Sequence, residues 1–363
     1  MSLIYPDYSK NLYSLGCGIA KWLGVELQCN TSYSLTGKKL VLLILDGFGW
    51  NIMESSLGEV KETIKIHGVF PSTTSATLAS IFTGKTPAEH GILGYNTYVK
   101  RLGGIVNVLR YTHPTLNERD SLSDGLPFEK AFPEAKGYLS QVKEGTASVL
   151  PQGIENTQFT TTVQGTTQET KTYLNVWDAY ESLKQLMDKG TRFIYAYIPD
   201  IDSLAHKYGP YADPVKLATR EIFMRFYSLL KERTDYTSII TADHGLVDTT
   251  QRIEIDKDQE LMNMLEIPPY GDSRALFLRS RYDLKVFLES RYNLKVFDRD
   301  ETLKLLGGVD KVPESMPDFV GVPLDYSSYF FNFREKSNYT RLKGHHGGLL
   351  REELEVPLVM ING

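Results

Sequence analysis

The chain predicts an α/β fold with a largely parallel central sheet. Three observations carry this expectation. Short apolar, β-prone runs recur at Lys39 to Leu45, Arg192 to Ile198 and Tyr236 to Thr241. Stretches with helical apolar spacing separate them. The runs also stop abruptly at acidic or imidazole side chains, as strands do when they leave a buried sheet for a cleft. Alternation of this kind favours a parallel sheet flanked by helices.

In chain order, residues 1–35 read as a helical preamble, with Leu12, Leu15, Ile19 and Leu23 at helical spacing. Lys39 to Leu45 reads as a fully buried strand, and Asp46-Gly47-Phe48-Gly49 as the loop after it. Val69-Phe70-Pro71-Ser72 is a second strand-to-loop edge. From Thr74 the pattern turns helical, with Leu78, Ile81 and Phe82 on one face, and Thr83-Gly84 ends it. Residues 95–170 are more polar and rich in Gly, Thr and Gln, and are expected as an insertion over the core. Lys171 to Lys189 resembles an amphipathic helix. The strand Arg192 to Ile198 ends at Pro199-Asp200, Pro214 to Arg233 reads as a helix, and Tyr236 to Thr241 as a strand.

Between residues 273 and 306 a short echo occurs: Asp283-Leu-Lys-Val-Phe287 recurs as Asn293-Leu-Lys-Val-Phe297. It is too short for a solenoid repeat. A strand from Ser273, then helix, strand and helix, predicts a small α+β cap. The chain returns to the core at Gly344 and closes with a strand from Val356 to Ile361. The expected organisation is one core domain over residues 1–363, with cap insertions at about 95–170 and 273–340.

Of 363 residues, 41% are hydrophobic and 23% charged, an ordinary globular balance, and the net charge of −5 with no basic run excludes a nucleic-acid polymer surface. No apolar run is long enough to span a bilayer. The N-terminus lacks a basic segment followed by a long apolar one, so the expectation is a cytoplasmic protein. The two cysteines, Cys17 and Cys29, are expected as reduced or buried thiols.

Four segments carry metal-ligand types and a fifth carries hydroxyls, and in an open α/β sheet ligands gather beyond the carboxyl ends of the strands. Asp243-His244-Gly245 follows the apolar run Ser238 to Ala242 and offers two ligand types for a divalent transition metal. Asp46 follows Leu45. Asp202 and His206 are four apart, so on a helical turn they share a face and can chelate one ion; Asp200 fits that face poorly. Capping of the helix is the competing role for Asp200 or Asp202. Gly344-His345-His346-Gly347 supplies further imidazoles. Four of the seven histidines fall in these segments. Three Asp and three His would serve two ions of zinc type. Phe70-Pro71-Ser72-Thr73-Thr74-Ser75 places four hydroxyls at a helix N-terminus, whose N–H groups and dipole suit a phosphate. Gly47-Phe-Gly49-Trp-Asn-Ile52 lacks the third glycine of a dinucleotide fingerprint. Gly84-Lys85-Thr86 lacks the first glycine of a P-loop.

Taken together, Leu45-Asp46-Gly47, Pro71-Ser-Thr-Thr74, Thr83-Gly-Lys-Thr-Pro-Ala-Glu-His90-Gly91, Asp202-x-x-x-His206-x-x-Gly209-Pro210, Asp243-His244-Gly245 and His346-Gly347 resemble the alkaline phosphatase superfamily, in its type I phosphodiesterase/nucleotide pyrophosphatase branch. The resemblance spans residues 46 to 347 with the motifs in family order. It implies an alkaline-phosphatase-like three-layer core and two divalent metals, zinc first and manganese as the alternative. It implies Thr74 as nucleophile and as a ligand with Asp46, Asp243 and His244, while Asp202, His206 and His346 hold the second ion. His346 is preferred to His345 because the family's ligand directly precedes a glycine. The expected reaction is hydrolysis of a small phosphoester or nucleotide by two in-line displacements through a phosphothreonine.

The chain departs from the branch beside Thr74. The family's base-stacking aromatic becomes Ser75, and its phosphate-binding asparagine becomes Thr77, whose hydroxyl is the candidate substrate donor. The alternatives are a phosphomonoesterase or phosphomutase of the same superfamily, and a non-catalytic nucleotide- or metal-binding α/β protein. A sulfatase is excluded, because no Cys/Ser-x-Pro-x-Arg stands near residue 74.

Overall fold

The computed structural model describes residues 2–308, 312–333 and 341–362. Seven strands form the central sheet, in the order Thr63–His67, Glu355–Ile361, Thr237–Thr241, Leu40–Leu45, Phe193–Ile198, Thr146–Pro151, Glu169–Tyr173. The run from Thr237–Thr241 to Glu169–Tyr173 is parallel throughout, and Glu355–Ile361 is antiparallel to both its neighbours. Every residue of Leu40–Leu45 and of Phe193–Ile198 is buried, which requires cover on both faces of the sheet. One helical group is Trp50–Leu57, Asp200–Tyr208 and Asp213–Glu232, with Val176–Asp188 beside them. The other is Leu12–Leu23 against Thr74–Thr83.

Register matters more for function than strand order. Leu45 lies opposite Ile198, and Ile44 opposite Thr241. Three adjacent parallel strands therefore end almost level. Whatever follows them in sequence leaves the core at one place.

A second sheet of six antiparallel strands runs Leu294–Phe297, Phe319–Pro323, Ala275–Leu278, Tyr270–Asp272, Asn96–Val99, Gly104–Asn107. The polar region 95–170 is thus not one insertion. Its first part joins this second sheet, whereas Thr146–Pro151 and Glu169–Tyr173 complete the central one. The outer strand, Glu169–Tyr173, alternates half-buried and exposed positions, so it needs no continuous apolar run. The strand expected at Val69 lies earlier, at Thr63–His67, and helix Val176–Asp188 starts later than Lys171 for the same reason. Residues 309–311 and 334–340 of the expected cap lie outside the described residues.

The two cysteines are not free thiols: Cys17 and Cys29 form a disulfide. Cys17 is buried on helix Leu12–Leu23, and the chain folds back so that both sulfurs sit beside Gly84, the C-cap of helix Thr74–Thr83. Spacing along the sequence could not reveal this return. Among the described residues, no helix is long and apolar enough to cross a membrane.

The disulfide closes a short loop of sequence separation 12, for which cross-linking stabilises a fold by about 2–4 kcal/mol. Reduction, or the pair Cys17→Ala and Cys29→Ala, should lower the melting temperature by several degrees. Equal melting curves with and without reductant would count against a formed bond.

Candidate active site

The level strand ends deliver the candidate ligands. Asp46 is the first residue past Leu40–Leu45, and Asp243 and His244 lie two and three past Thr237–Thr241. Asp202 and His206 project from helix Asp200–Tyr208, which starts just beyond Phe193–Ile198. The Asp46 N–H donates to the Ile198 carbonyl at 2.9 Å, and the Asp202 N–H to the Asp46 carbonyl at 3.0 Å. Gly47 allows the contact: its φ is 72°, and a Cβ there would stand 2.9 Å from the Asp202 backbone. That helix is capped by Pro199 without a side-chain bond, so neither Asp200 nor Asp202 is the N-cap.

Two groups of side chains converge. Ligand atoms of Asp202, His206 and His346 lie within 4.8 Å of one another, as do those of Asp46, Asp202 and His244. Asp202 belongs to both. His244 Nε2 is 3.1 Å from Thr74 Oγ1, 3.4 Å from Asp243 Oδ2 and 3.5 Å from Asp46 Oδ1. His206 Nε2 is 3.3 Å from Asp202 Oδ1. The His244 and His346 rings stack at 3.7 Å between centroids.

The hydrogen-bond pattern shows which atoms are left over. Asp243 Oδ1 accepts the N–H groups of Gly47 and His244, both at 3.1 Å. Asp46 Oδ2 accepts the Tyr197 hydroxyl. The remaining oxygens Asp46 Oδ1 and Asp243 Oδ2, with Asp202 Oδ1, are buried and have no hydrogen-bond partner among the described residues. All three face an imidazole Nε2. On each of those histidines and on His346, Nδ1 lies against a backbone carbonyl: Gly344 for His206, Gly245 for His244, Ser72 for His346. An Nδ1–H donor there leaves the Nε2 lone pair free, which is the arrangement metal-binding histidines use. His345 differs: its Nδ1 meets the Ser273 hydroxyl and its Nε2 the Leu342 carbonyl. His90 is likewise occupied at both nitrogens.

Burial and like charge act on this cluster together. Burial, then the Asp243 and Asp202 charges, raises the Asp46 carboxyl well above its usual range. Burial also raises Asp202, against the pull of His206 and His244. Burial, then neighbouring His244 and His206, holds His346 well below the usual imidazole value. Buried carboxylates whose free oxygens point at imidazoles, with a hydroxyl beside them, make an oxygen and nitrogen donor set that suits a divalent cation.

The hydroxyls around Thr74 separate by partner. The Ser72 hydroxyl donates to the Gly348 carbonyl at 2.9 Å and accepts the Gly347 N–H at 3.2 Å. Thr73 faces Asp272, Ser75 donates to the Gly94 carbonyl at 2.9 Å, and Thr77 donates to the Asp243 carbonyl at 3.1 Å. Only Thr74, the first residue of its helix, meets the ligand cluster. Thr77, the candidate substrate donor, is fully buried, and its hydroxyl braces the strand end that carries Asp243.

Sequence reading missed the residues that hold these loops. Glu353 accepts Arg274 through both oxygens at 2.9 Å, plus the N–H groups of Gly348 and Leu350, and its carbonyl accepts the Gly245 N–H. It therefore braces the loops of both His346 and His244. Asp272, raised by burial to about 7, packs against Gly347, whose φ is 115° and where a Cβ would stand 2.7 Å from its side chain. No periodicity or motif marks Glu353, Arg274, Asp272 or Tyr197.

The raised carboxyls set a pH dependence. Asp46 keeps its proton to higher pH than a free carboxyl, so without metal its contribution to stability is lost as pH rises through the folded-state value. Metal binding expels that proton and is favoured as pH rises. The rise in melting temperature produced by zinc over a chelator should thus be larger at about pH 8 than at about pH 5.5. An equal rise at both values would remove Asp46 from the ligand set.

Comparison with known proteins agrees with this geometry. The family model described as type I phosphodiesterase / nucleotide pyrophosphatase matches residues 40–303. No curated protein matches the chain by sequence. Among solved structures, murine ectonucleotide pyrophosphatase / phosphodiesterase 5 is similar with a TM-score of 0.66 at 16% identity, covering 89% of this chain and 88% of that one. An inactive variant of the same murine protein, in complex with AMP, has a TM-score of 0.66 at 15% identity over the same shares. Phosphonoacetate hydrolase from Sinorhizobium meliloti 1021, in complex with phosphonoacetate, has a TM-score of 0.66 at 17% identity, covering 99% of this chain and 94% of that one. These likenesses show a shared α/β fold with a mostly parallel sheet. Phosphoester hydrolysis is the chemistry that the family match supports, and the chain belongs to the type I phosphodiesterase/nucleotide pyrophosphatase family of the alkaline phosphatase superfamily.

Proposed function

We propose that the protein is a two-metal phosphodiesterase/nucleotide pyrophosphatase that works through a phosphothreonine on Thr74. One observation carries this reading: three partnerless carboxylate oxygens and three imidazole Nε2 atoms gather beside a single hydroxyl at a helix N-terminus. Asp46, Asp243 and His244 would hold one ion together with Thr74. Asp202, His206 and His346 would hold the other, with zinc suited to the donor set. Bound divalent ions supply Lewis acidity, lowering the pKa of a hydroxyl or water and neutralising charge on phosphoryl oxygens.

The chain's own residues do the rest. Thr74 Oγ1 gives up its proton to solvent and attacks phosphorus in line with the departing alcohol or phosphate oxygen; a water then attacks the Thr74-bound phosphoryl group from the side that leaving group vacated, which frees Oγ1 and releases the remaining phosphomonoester. The N-terminal N–H groups of helix Thr74–Thr83 and its dipole favour the anionic phosphoryl group. The stacked His244 and His346 rings and the braced loops keep both ligand sets in place before substrate arrives.

A small phosphodiester or nucleotide is the substrate reading that the family supports, and AMP is bound by the murine neighbour. Ser75 and Thr77 both turn their hydroxyls into the protein, so neither stands where a base or a phosphate would need it. That supports a leaving group recognised elsewhere, and it keeps a phosphomonoesterase or phosphomutase as the second reading. The strands 96–107 and 270–323 would form the cap that shapes the leaving-group side of the site. The Cys17–Cys29 bond supports an oxidising compartment over the cytoplasm that the sequence suggested.

Thr74→Ala tests the nucleophile. Turnover of a nitrophenyl phosphodiester should fall by about three orders of magnitude or more, while zinc content stays near that of the unaltered protein. Full activity in that variant would sink the mechanism. Faster turnover of a nitrophenyl phosphomonoester than of the diester would select the second reading, and turnover of neither would select a binding protein.

A further inference from the structure

Tyr197 lies on the strand Phe193–Ile198, opposite Ile44 in the register. Its hydroxyl donates to Asp46 Oδ2, and its backbone carbonyl accepts the Tyr173 hydroxyl at 2.8 Å. The other oxygen of the same carboxylate, Asp46 Oδ1, has no hydrogen-bond partner among the described residues and stands 3.5 Å from His244 Nε2. One carboxylate oxygen is thus taken by a phenol and the other is presented to the ligand cluster. Two residues earlier on the strand, Tyr195 is also fully buried, yet its hydroxyl has no hydrogen-bond partner among the described residues. Burial alone therefore does not account for the contact that Tyr197 makes.

We infer that Tyr197 is a positioning residue for the metal centre: it holds Asp46 so that only Oδ1 can serve as a ligand, fixing a one-oxygen mode of coordination. This rests on the proposed role of Asp46 as a metal ligand. A carboxylate free to turn would offer either oxygen or both, and the orientation of its partner His244 would no longer be matched. Hydrogen bonds to the non-ligating atom of a metal ligand fix its orientation, and their loss typically lowers metal affinity by roughly 10–100-fold. The effect belongs to one ion only. Among the described residues, Asp202, His206 and His346 make no hydrogen bond with Tyr197, and their group forms without Asp46.

The test compares Tyr197→Phe with Tyr195→Phe in the full chain, by zinc titration against a competing chelator. Both changes remove one buried phenol oxygen from the same strand. For Tyr197→Phe, one of two zinc affinities should drop by about 10- to 100-fold while the other is kept. Tyr195→Phe should bind both ions as the unaltered protein does. Unchanged affinities in Tyr197→Phe, or an equal loss in Tyr195→Phe, would overturn the inference and leave the proposed metal centre standing. Failure of the unaltered protein to bind zinc would overturn both together. A thermal melt on metal-free protein checks that both variants fold cooperatively: Tyr197→Phe, which leaves Asp46 Oδ2 without its donor, should melt somewhat lower than Tyr195→Phe, which removes a hydroxyl that had no partner among the described residues.

Discussion

Three carboxylates, Asp46, Asp202 and Asp243, are brought within reach of two shared imidazoles in a largely buried space. Like charges so placed repel, and each loses hydration as well. A fold that gathers them must either hold protons on them or supply a cation. The raised carboxyls of Asp46 and Asp202 express the first solution, and the imidazoles of His206, His244 and His346, each with Nδ1 against a backbone carbonyl, suit the second. The rest of the architecture follows from keeping this group together against its own repulsion.

That restraint comes from bonds outside the cluster. Ser72 ties the nucleophile loop to Gly347 and Gly348, and its carbonyl orients His346. Thr77 ties the nucleophile helix to the strand end of Asp243. Glu353, neutralised by Arg274, ties the loops of His346 and His244 to the second sheet. A buried ion pair of this kind adds little net stability, but it satisfies several backbone donors that would otherwise be stranded. The loops and strand ends that carry the candidate ligands thus hang on bonds outside the cluster itself.

The candidate ligands were legible because metal chemistry restricts residue type, and because parallel strands end at one edge. Asp46, Asp243 and His244 follow such strand ends, Asp202 and His206 lie on the helix beyond the third, and His346 follows a short antiparallel strand; the structure brings them together. The central strands were legible for a related reason: burial on both faces demands unbroken apolar runs. The outer strands Thr146–Pro151 and Glu169–Tyr173 escaped notice because edge and near-edge positions tolerate Thr, Ser, Glu and Lys. Leu-Lys-Val-Phe shows the limit of local reading. At 294–297 it is a strand, whereas at 284–287 it opens into helix Lys285–Arg291. The same four residues obey their neighbours. The bracing residues and the Cys17–Cys29 bond were illegible because their partners are distant in sequence, and a hydroxyl or thiol carries no mark of the atom it will meet.

The last strand has a consequence for how the molecule is made. Glu355–Ile361 slots between Thr63–His67 and Thr237–Thr241 and runs against both. Until it emerges from the ribosome, the strand leading toward Thr74 has no neighbour in the sheet, and the strand leading to Asp243 ends as an open edge. Pairings so remote in sequence form slowly, because a long loop must close before any contact rewards it. The nascent chain can carry nearly all of its ligands and still lack the frame that sets them against Thr74. Assembly of that frame is thereby deferred until Glu355–Ile361 has been made and can pair on both sides.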